Sequence, residues 1–325
     1  MSKVIDLLSR YQLVLVLLAL VAGLSYPSIF IPLNPYNSLF LQVIMFATGL
    51  RLNLTEFVHE AEDWRMMSLA NGMKLIILPL LVAIPLATFA PEWTVPFILA
   101  ACMPTGLTAP AVITILGGRT SLAVLISVST SLLAPFLVPL VLRVMAGQQV
   151  AIDIPSMMMN IAWVVIVPLV FATLIQWKLK RKRIERYADL IRVINLLAFM
   201  LVIASVSASS AADSTSGQNG FQAIGVDGLI IVILMTVFWM GMAWLAGAML
   251  AWRAQLDRVT VAFCLIYMNT TLAVWIADKF FHELNIAPKL VAIFVATTIV
   301  LPVFKFFLPH EQKKQFKKVY AVEQT

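Results

Sequence analysis

Charged residues are scarce in this chain. They make up 12% of its 325 residues, whereas hydrophobic residues make up 61%; a soluble domain carries about 25% charged residues. The mean hydropathy of +0.94 agrees with this balance. The composition excludes a soluble globular protein and predicts a polytopic membrane protein whose main partner is the lipid bilayer. The net charge of +7 is attributed to membrane topology and not to binding of nucleic acid.

Cysteine is nearly absent. The two cysteines, Cys102 and Cys264, both lie in apolar runs, so the sequence carries no disulfide framework. Cysteines in such positions are usually small core residues, and this is the simplest interpretation of both.

Histidine is almost as rare, and its positions argue against an enzyme. His59, His282 and His310 lie in loops or at the ends of apolar runs. His59 begins a stretch that resembles a zinc-protease motif, but Asp63 stands where the second histidine is required. No apolar run holds an acidic pair well inside it, so intramembrane acid–base chemistry has no candidate residues. The sequence therefore predicts no catalytic residue, no metal site and no cofactor.

Long apolar runs are what the sequence has in abundance. A membrane-spanning helix needs about 20 residues, and ten runs are interpreted as such helices, although the second is short. They lie near residues 11–31, 36–50, 66–90, 93–116, 120–142, 155–177, 188–209, 228–252, 258–280 and 287–308. The first run resembles a signal peptide, but no small-residue cleavage site follows it, so it is interpreted as a span. The predicted fold class is all-α, with ten transmembrane helices.

Lysine and arginine are distributed unevenly among the loops. With both termini placed inside, 19 of them fall on the cytoplasmic side and 3 fall outside, namely Arg143, Lys279 and Lys289. This bias predicts cytoplasmic termini and a multi-pass protein of the cell inner membrane. The loop at 178–186 and the basic tail at 309–325 are then cytoplasmic, and the loop at 210–227 is external.

The fourth apolar run contains residues that a continuous helix does not tolerate. Pro104 and Pro110 each lack a backbone donor and clash with the preceding turn, and Gly106 loosens the stretch between them. Transporters place such broken helices near the middle of the bilayer, where they hold a substrate or an ion. Together with Thr105 and Thr108, these residues are candidates for substrate binding. A kinked helix without a site is the alternative.

The ninth run has a polar interruption, in which Asn269, Thr270 and Thr271 stand among apolar residues. They are the second half of the predicted site; helix–helix hydrogen bonding, worth about 0.6 kcal/mol per contact, is the alternative. The fifth and tenth runs share a short motif, in which a pair of hydroxyl residues precedes Pro135 or Pro302 by the same distance. This match predicts a duplicated half of five spans that enters the membrane in the inverted sense.

Several stretches resemble the bile acid:sodium symporter family. They are FATGL at 46–50, CMPTG at 102–106, the region 124–139 with its STSLLAPFLVP sequence, and NTTLA at 269–273. The resemblance implies secondary transport of an organic anion, bile-acid-like or a small carboxylate, by alternating access and driven by two sodium ions.

The resemblance also implies an architecture. The ten helices would form two inverted repeats, with helices 4 and 9 unwound and crossing. A panel would comprise 11–50 and 155–209, and a core 66–142 and 228–308.

The sequence departs from the family at the residues that hold sodium. Ala109 and Pro110 stand where the family has a Ser-Asn pair, and Cys264 stands where it has an acidic ligand shared by both ions. Ser127 keeps one of two hydroxyl positions, whereas the other is Ala123. Lys74 replaces the glutamine of the third span. Sodium prefers oxygen ligands, so Lys74, Ser127 and Cys264 are candidates for an altered ion or coupling site.

Lys74 is the one basic residue predicted well inside a span. Counted from Arg65, it lies about 13 Å deep at 1.5 Å per residue, and a lysine at such depth usually faces a cavity or a partner. We therefore expect it to stand in for a bound sodium ion, in a proton-coupled carrier, a uniporter or an exchanger. The alternative for Lys74 itself is a side chain that snorkels to the headgroups.

Other functions remain open at this point. One is a sodium-coupled symporter with relocated ion ligands. Another is a permease for a thiol-seeking substrate such as arsenite, in which Cys102 and Cys264 would take part. A receptor or a scaffold has no need of two broken helices, so a transporter is the favoured interpretation.

Overall fold

The computed structural model of the protein describes residues 12–50, 63–106, 109–116, 118–146, 153–179, 181–212, 225–250, 252–284 and 286–300. Regular structure within these ranges is helical, apart from one isolated antiparallel pairing, which confirms the all-α class. The helices are α1 (Gln12–Ser25), α2 (Asn37–Gly49), α3 (Trp64–Gly72), α4 (Leu78–Phe89), α5 (Thr94–Cys102), α6 (Ala109–Leu116), α7 (Thr120–Ala146), α8 (Ile154–Lys178), α9 (Arg181–Arg186), α10 (Ala188–Ala212), α11 (Gly225–Met249), α12 (Gln255–Ile266), α13 (Thr270–Phe280) and α14 (Ala287–Val300). A short helical turn (Pro27–Phe30) and a 3₁₀ helix (Ile31–Tyr36) precede α2; two further 3₁₀ turns lie at Pro91–Trp93 and His282–Leu284.

Six helical stretches in the described part of the chain are long and apolar enough to cross a membrane. They are Pro27–Gly49, Trp64–Phe89, Thr120–Met145, Ile154–Lys178, Ala188–Ser209 and Gly225–Met249. The protein is thus a multi-pass membrane protein. The fourth and ninth predicted runs each contain two shorter helices, and the ten-helix inverted repeat stays a prediction.

The chain divides into two compact units, and the first comprises residues 1–52, 146–229 and 270–292. In it, α10 packs against α1 and α2, and α8 packs against α2. A Cβ atom on Gly23 would lie 2.2 Å from the carbonyl oxygen of Ala204, so the close approach of α1 and α10 requires glycine there. Polar pairs join α10 to α2: Ser205 Oγ donates to Asn37 Oδ1 at 2.6 Å.

The second unit comprises residues 53–145, 230–269 and 293–325. It contains α3 to α7, most of α11, and α12. The sequence-based division into panel and core stays a prediction; residues 270–292, which that division assigns to the core, cluster with the first unit.

A π-helical turn, Met73–Ile77, connects α3 to α4 and contains Lys74. The backbone N–H of Leu78 bonds to the oxygen of Met73, five residues earlier. Pro79 follows directly, and a proline in a helix has no N–H and clashes with the carbonyl four residues before it. The wider turn accommodates that proline, and single π turns often occur at functional positions.

Charged side chains form a network that joins four segments of the second unit. Arg119 Nη1 lies 3.2 Å from Asp257 Oδ1, and Arg253 Nε lies 3.1 Å from Asp257 Oδ2. Arg253 also pairs with Asp63, which caps the start of α3. The two aspartates lie at the starts of α3 and α12, and the two arginines lie in the connections that precede α7 and α12. The ion pairs therefore link these four segments.

Candidate functional site

Helix α5 ends at Cys102 for a local reason. Met103 is extended, with φ −64° and ψ 142°, which is the conformation that a following proline favours. Pro104 has no N–H to continue the helix, and α6 begins again at Ala109. Pro110, at the second position of α6, is buried there, where its missing donor costs nothing because the first N–H groups of a helix have no intrahelical partner.

Helix α12 ends at Ile266 without a proline or glycine nearby. Tyr267 is extended, with φ −76° and ψ 100°. Residues 267–269 lie antiparallel to residues 103–106, with Met268 opposite Thr105. These two stretches are called the paired segments below, and both belong to the second unit.

Backbone groups in the paired segments are satisfied by each other. The N–H of Gly106 donates to the oxygen of Tyr267 at 3.1 Å, and the N–H of Asn269 donates to the oxygen of Pro104 at 2.9 Å. Non-helical backbone at membrane depth is tolerated only where protein or a water-filled cavity surrounds it. The two hydrogen bonds supply part of that requirement for both interrupted helices.

Thr105 supplies further partners. Its Oγ1 donates to the oxygen of Cys264 at 2.9 Å, and its N–H donates to Oγ1 of Thr130 at 3.1 Å. Cys264 lies in the last turn of α12, where carbonyl oxygens have no amide partner within the helix. Thr105 and Thr130 are both fully buried, so these hydrogen bonds satisfy groups that water does not reach.

Lys74 is fully buried, at 0% exposure. Its Nζ donates to the oxygen of Leu265 at 2.8 Å. Two carbonyls in the last turn of α12 thus accept from side chains, that of Cys264 from Thr105 and that of Leu265 from Lys74. The C-terminal end of a helix carries partial negative charge and stabilises a cation. The snorkelling alternative does not describe this structure, because the ammonium group binds a buried carbonyl.

The remaining surroundings of Lys74 contain no carboxylate partner among the residues that the structure describes. Nζ lies 5.3 Å from the centroid of the Trp239 ring. The Lys74 amine is therefore buried, with a hydrogen bond to a helix end and an aromatic ring close by.

The structure brings several of the predicted site residues together. Thr105, Gly106 and Asn269 lie in the paired segments, and Ser127 Oγ donates to the oxygen of Gly106 at 3.5 Å. Cys264 contributes its backbone oxygen to this region.

Other predicted residues lie elsewhere. Thr108 is outside the described residues. Thr270 and Thr271 are buried at the start of α13 and belong to the first unit, directly after Asn269 in the chain.

Three residues of this region were not predicted as site residues. Thr130 is the first residue of the hydroxyl pair that precedes Pro135, and a hydroxyl pair in an apolar span was a usable signal. Leu265 acts through its backbone oxygen, which no side-chain pattern can indicate. Trp239 is a tryptophan in an apolar span and gives no signal in sequence.

A family model and one named relative describe transporters. The family model described as the SBF-like CPA transporter family matches residues 11–308. A protein of Bacillus subtilis (strain 168) named uncharacterized sodium-dependent transporter YocS is 29% identical over 276 residues, which are 83% of this chain and 82% of that protein. A second protein of the same organism, named uncharacterized protein YbaS, is 28% identical over 193 residues, covering 59% of this chain and 61% of its own length.

Proposed function

Because this chain belongs to the SBF-like CPA transporter family, we propose that it carries an organic anion across the membrane by alternating access, without a sodium gradient. Membership of a bile acid:sodium symporter-like family confirms the resemblance drawn from the sequence and classes the chain as a membrane transporter. The anion is a bile-acid-like amphipath or a small carboxylate. In this proposal the chain crosses the inner membrane ten times, in two inverted repeats of five spans, and both termini lie on the cytoplasmic side.

The observation that carries this proposal is the hydrogen bond from Lys74 Nζ to the oxygen of Leu265 at 2.8 Å. The bond lies at the C-terminal end of the interrupted helix α12, where a helix dipole attracts a cation. Transporters of related design hold a metal cation with carbonyls exposed by broken helices. The ammonium group supplies the same charge and binds the same type of ligand, so a sodium ion is not required there.

The same residue favours an anionic substrate. A buried charge is costly unless another group compensates it, and no carboxylate in the described part of the chain pairs with Lys74. The positive charge is left to attract a negative ligand. This supports an organic anion over a cation as the transported species.

A sodium-coupled symporter with relocated ligands is the second candidate. The observation in its favour is the similarity to YocS, which is named as a sodium-dependent transporter and aligns with 83% of this chain. Neutral oxygens lie in or near the paired segments, among them the hydroxyl of Ser127 and the carbonyl of Gly106, which accepts from that hydroxyl and from the N–H of Ala109.

Uptake into proteoliposomes separates the two candidates. Radiolabelled carboxylates, from small monocarboxylates to cholate, are screened at fixed pH with sodium present or replaced by choline. We expect uptake in choline for the wild type and at least a tenfold loss for Lys74→Gln. Lys279→Gln is the matched control, because Lys279 is exposed, bonds to Asn160 and also lies over a tryptophan ring; it keeps wild-type uptake.

The outcomes have distinct meanings. Wild-type uptake that collapses in choline would refute sodium-independent transport and favour relocated sodium ligands. Undiminished uptake by Lys74→Gln in choline would show that the lysine has no part in coupling.

A second experiment tests the substrate site. We expect Asn269→Ala, Thr271→Ala and Thr108→Ala each to lower uptake while folded protein remains in the membrane, since each change removes a hydrogen-bonding group from one of the two interrupted spans. Size-exclusion profiles of the purified variants check folding. Wild-type uptake in all three variants would leave helix–helix hydrogen bonding as the role of these residues.

A further inference from the structure

Trp239 of α11 lies in the same unit as Lys74, with its ring facing the ammonium group. The distance from Nζ to the ring centroid is 5.3 Å, within the roughly 6 Å of a cation–π contact. Both side chains are fully buried, at 0% exposure. The ammonium group therefore has two identified partners, the oxygen of Leu265 and the face of the indole.

The indole N–H of Trp239 has no hydrogen-bond partner among the described residues, although it is buried. A buried tryptophan usually finds a partner for this group, and leaving it unpaired costs stability. Phenylalanine would fill most of the same space without that cost. What tryptophan adds at this position is its ring face, which attracts a cation more strongly than the face of phenylalanine does.

Trp275 provides an internal contrast. Its Nε1 donates to Oγ of Ser38 at 3.1 Å, so its polar group is satisfied. A lysine also lies over its ring, with Lys279 Nζ 5.2 Å from the centroid, but this lysine is exposed. Water screens that contact, whereas the contact between Lys74 and Trp239 is shielded from water.

We propose that Trp239 positions Lys74 and thereby specifies an ammonium group, in place of a metal ion, as the cation of this site. A carboxylate partner would hold the lysine as well, but it would also cancel its charge. The ring quadrupole stabilises the ammonium group and leaves its full positive charge available to the transported anion. This inference rests on the proposed function, in which Lys74 replaces sodium.

A double-mutant cycle tests the proposal. Trp239→Leu is made in the wild type and in Lys74→Gln, and the four proteins are purified in detergent for thermal unfolding. We expect Trp239→Leu to lower Tm by about 4 °C more in the presence of Lys74 than in its absence. Equal losses in the two backgrounds would mean that Trp239 only fills space, and would overturn the inference.

Uptake in choline provides the functional measurement, with whichever carboxylate is transported in the screen. We expect Trp239→Leu to lose uptake at least tenfold and Trp239→Phe, which keeps a weaker ring face, to recover a large part of it. Trp275→Phe is the control and keeps wild-type uptake. Full uptake by Trp239→Leu would overturn the inference.

Failure of the proposed function is distinguishable from failure of this inference. Wild-type uptake that needs sodium would refute the replacement of the metal ion by Lys74. The Tm cycle requires no substrate and would still decide whether Trp239 positions the lysine.

Discussion

Replacing Thr105 by valine tests whether the interrupted helix α12 depends on a side chain from the other paired segment. Oγ1 of Thr105 donates to the oxygen of Cys264 at 2.9 Å, and Thr105 is fully buried. Valine has nearly the same shape but no hydroxyl, so the carbonyl loses this hydrogen bond. A buried polar group without a partner costs about 1–3 kcal/mol.

That cost converts into a measurable shift. In proteins of a few hundred residues, 1 kcal/mol corresponds to about 2–4 °C in Tm, so we expect Thr105→Val to melt about 2–12 °C below the wild type. Both cysteines are buried and free, which makes a thiol-reactive fluorophore a suitable reporter of unfolding in detergent.

Two variants serve as controls. Thr105→Ser keeps the hydroxyl and retains most of the stability. Thr297→Val removes a buried hydroxyl that donates to the oxygen of Ile293 at 2.9 Å within α14, a carbonyl that also accepts a helical N–H. Its Tm stays close to that of the wild type. The reasoning is wrong if the Tm of Thr105→Val equals that of the wild type, or if Thr297→Val lowers Tm as much as Thr105→Val does.

Three further predictions follow from the structure. Asp257→Asn leaves Arg119 and Arg253 without the buried carboxylate that they share. We expect it to lower Tm more than Arg119→Gln does, because the Arg119 side chain is 37% exposed. Equal shifts in Tm would contradict this. Gly106→Ala places a Cβ 2.8 Å from the ring of Tyr267, so thermal unfolding shows a loss of about 1–3 kcal/mol, and an unchanged Tm would mean that the ring moves freely. A cysteine at Ser216 in a Cys-free background reacts with an impermeant maleimide on intact cells; labelling only after lysis would reverse the topology.

The sequence was sufficient for features that depend on local chemistry. Apolar runs set the membrane class and the all-α fold, because hydrocarbon demands that backbone groups be satisfied within helices. The end of α5 could also be predicted from the sequence, because Pro104 lacks a backbone donor and favours an extended conformation at Met103. Counting residues along one helix predicted that Lys74 lies away from the ends of its span, and its side chain is fully buried within the protein.

Tertiary structure decided what local chemistry left open. Nothing in residues 266–269 breaks a helix by itself; α12 ends there because Tyr267 and Asn269 form hydrogen bonds with residues more than 150 positions earlier in the chain. The acceptor of Lys74 is a backbone oxygen 191 residues away, and its aromatic partner, Trp239, comes from another helix. Helix propensity and hydropathy act over a few neighbouring residues, whereas these partners are brought together only when the chain has folded.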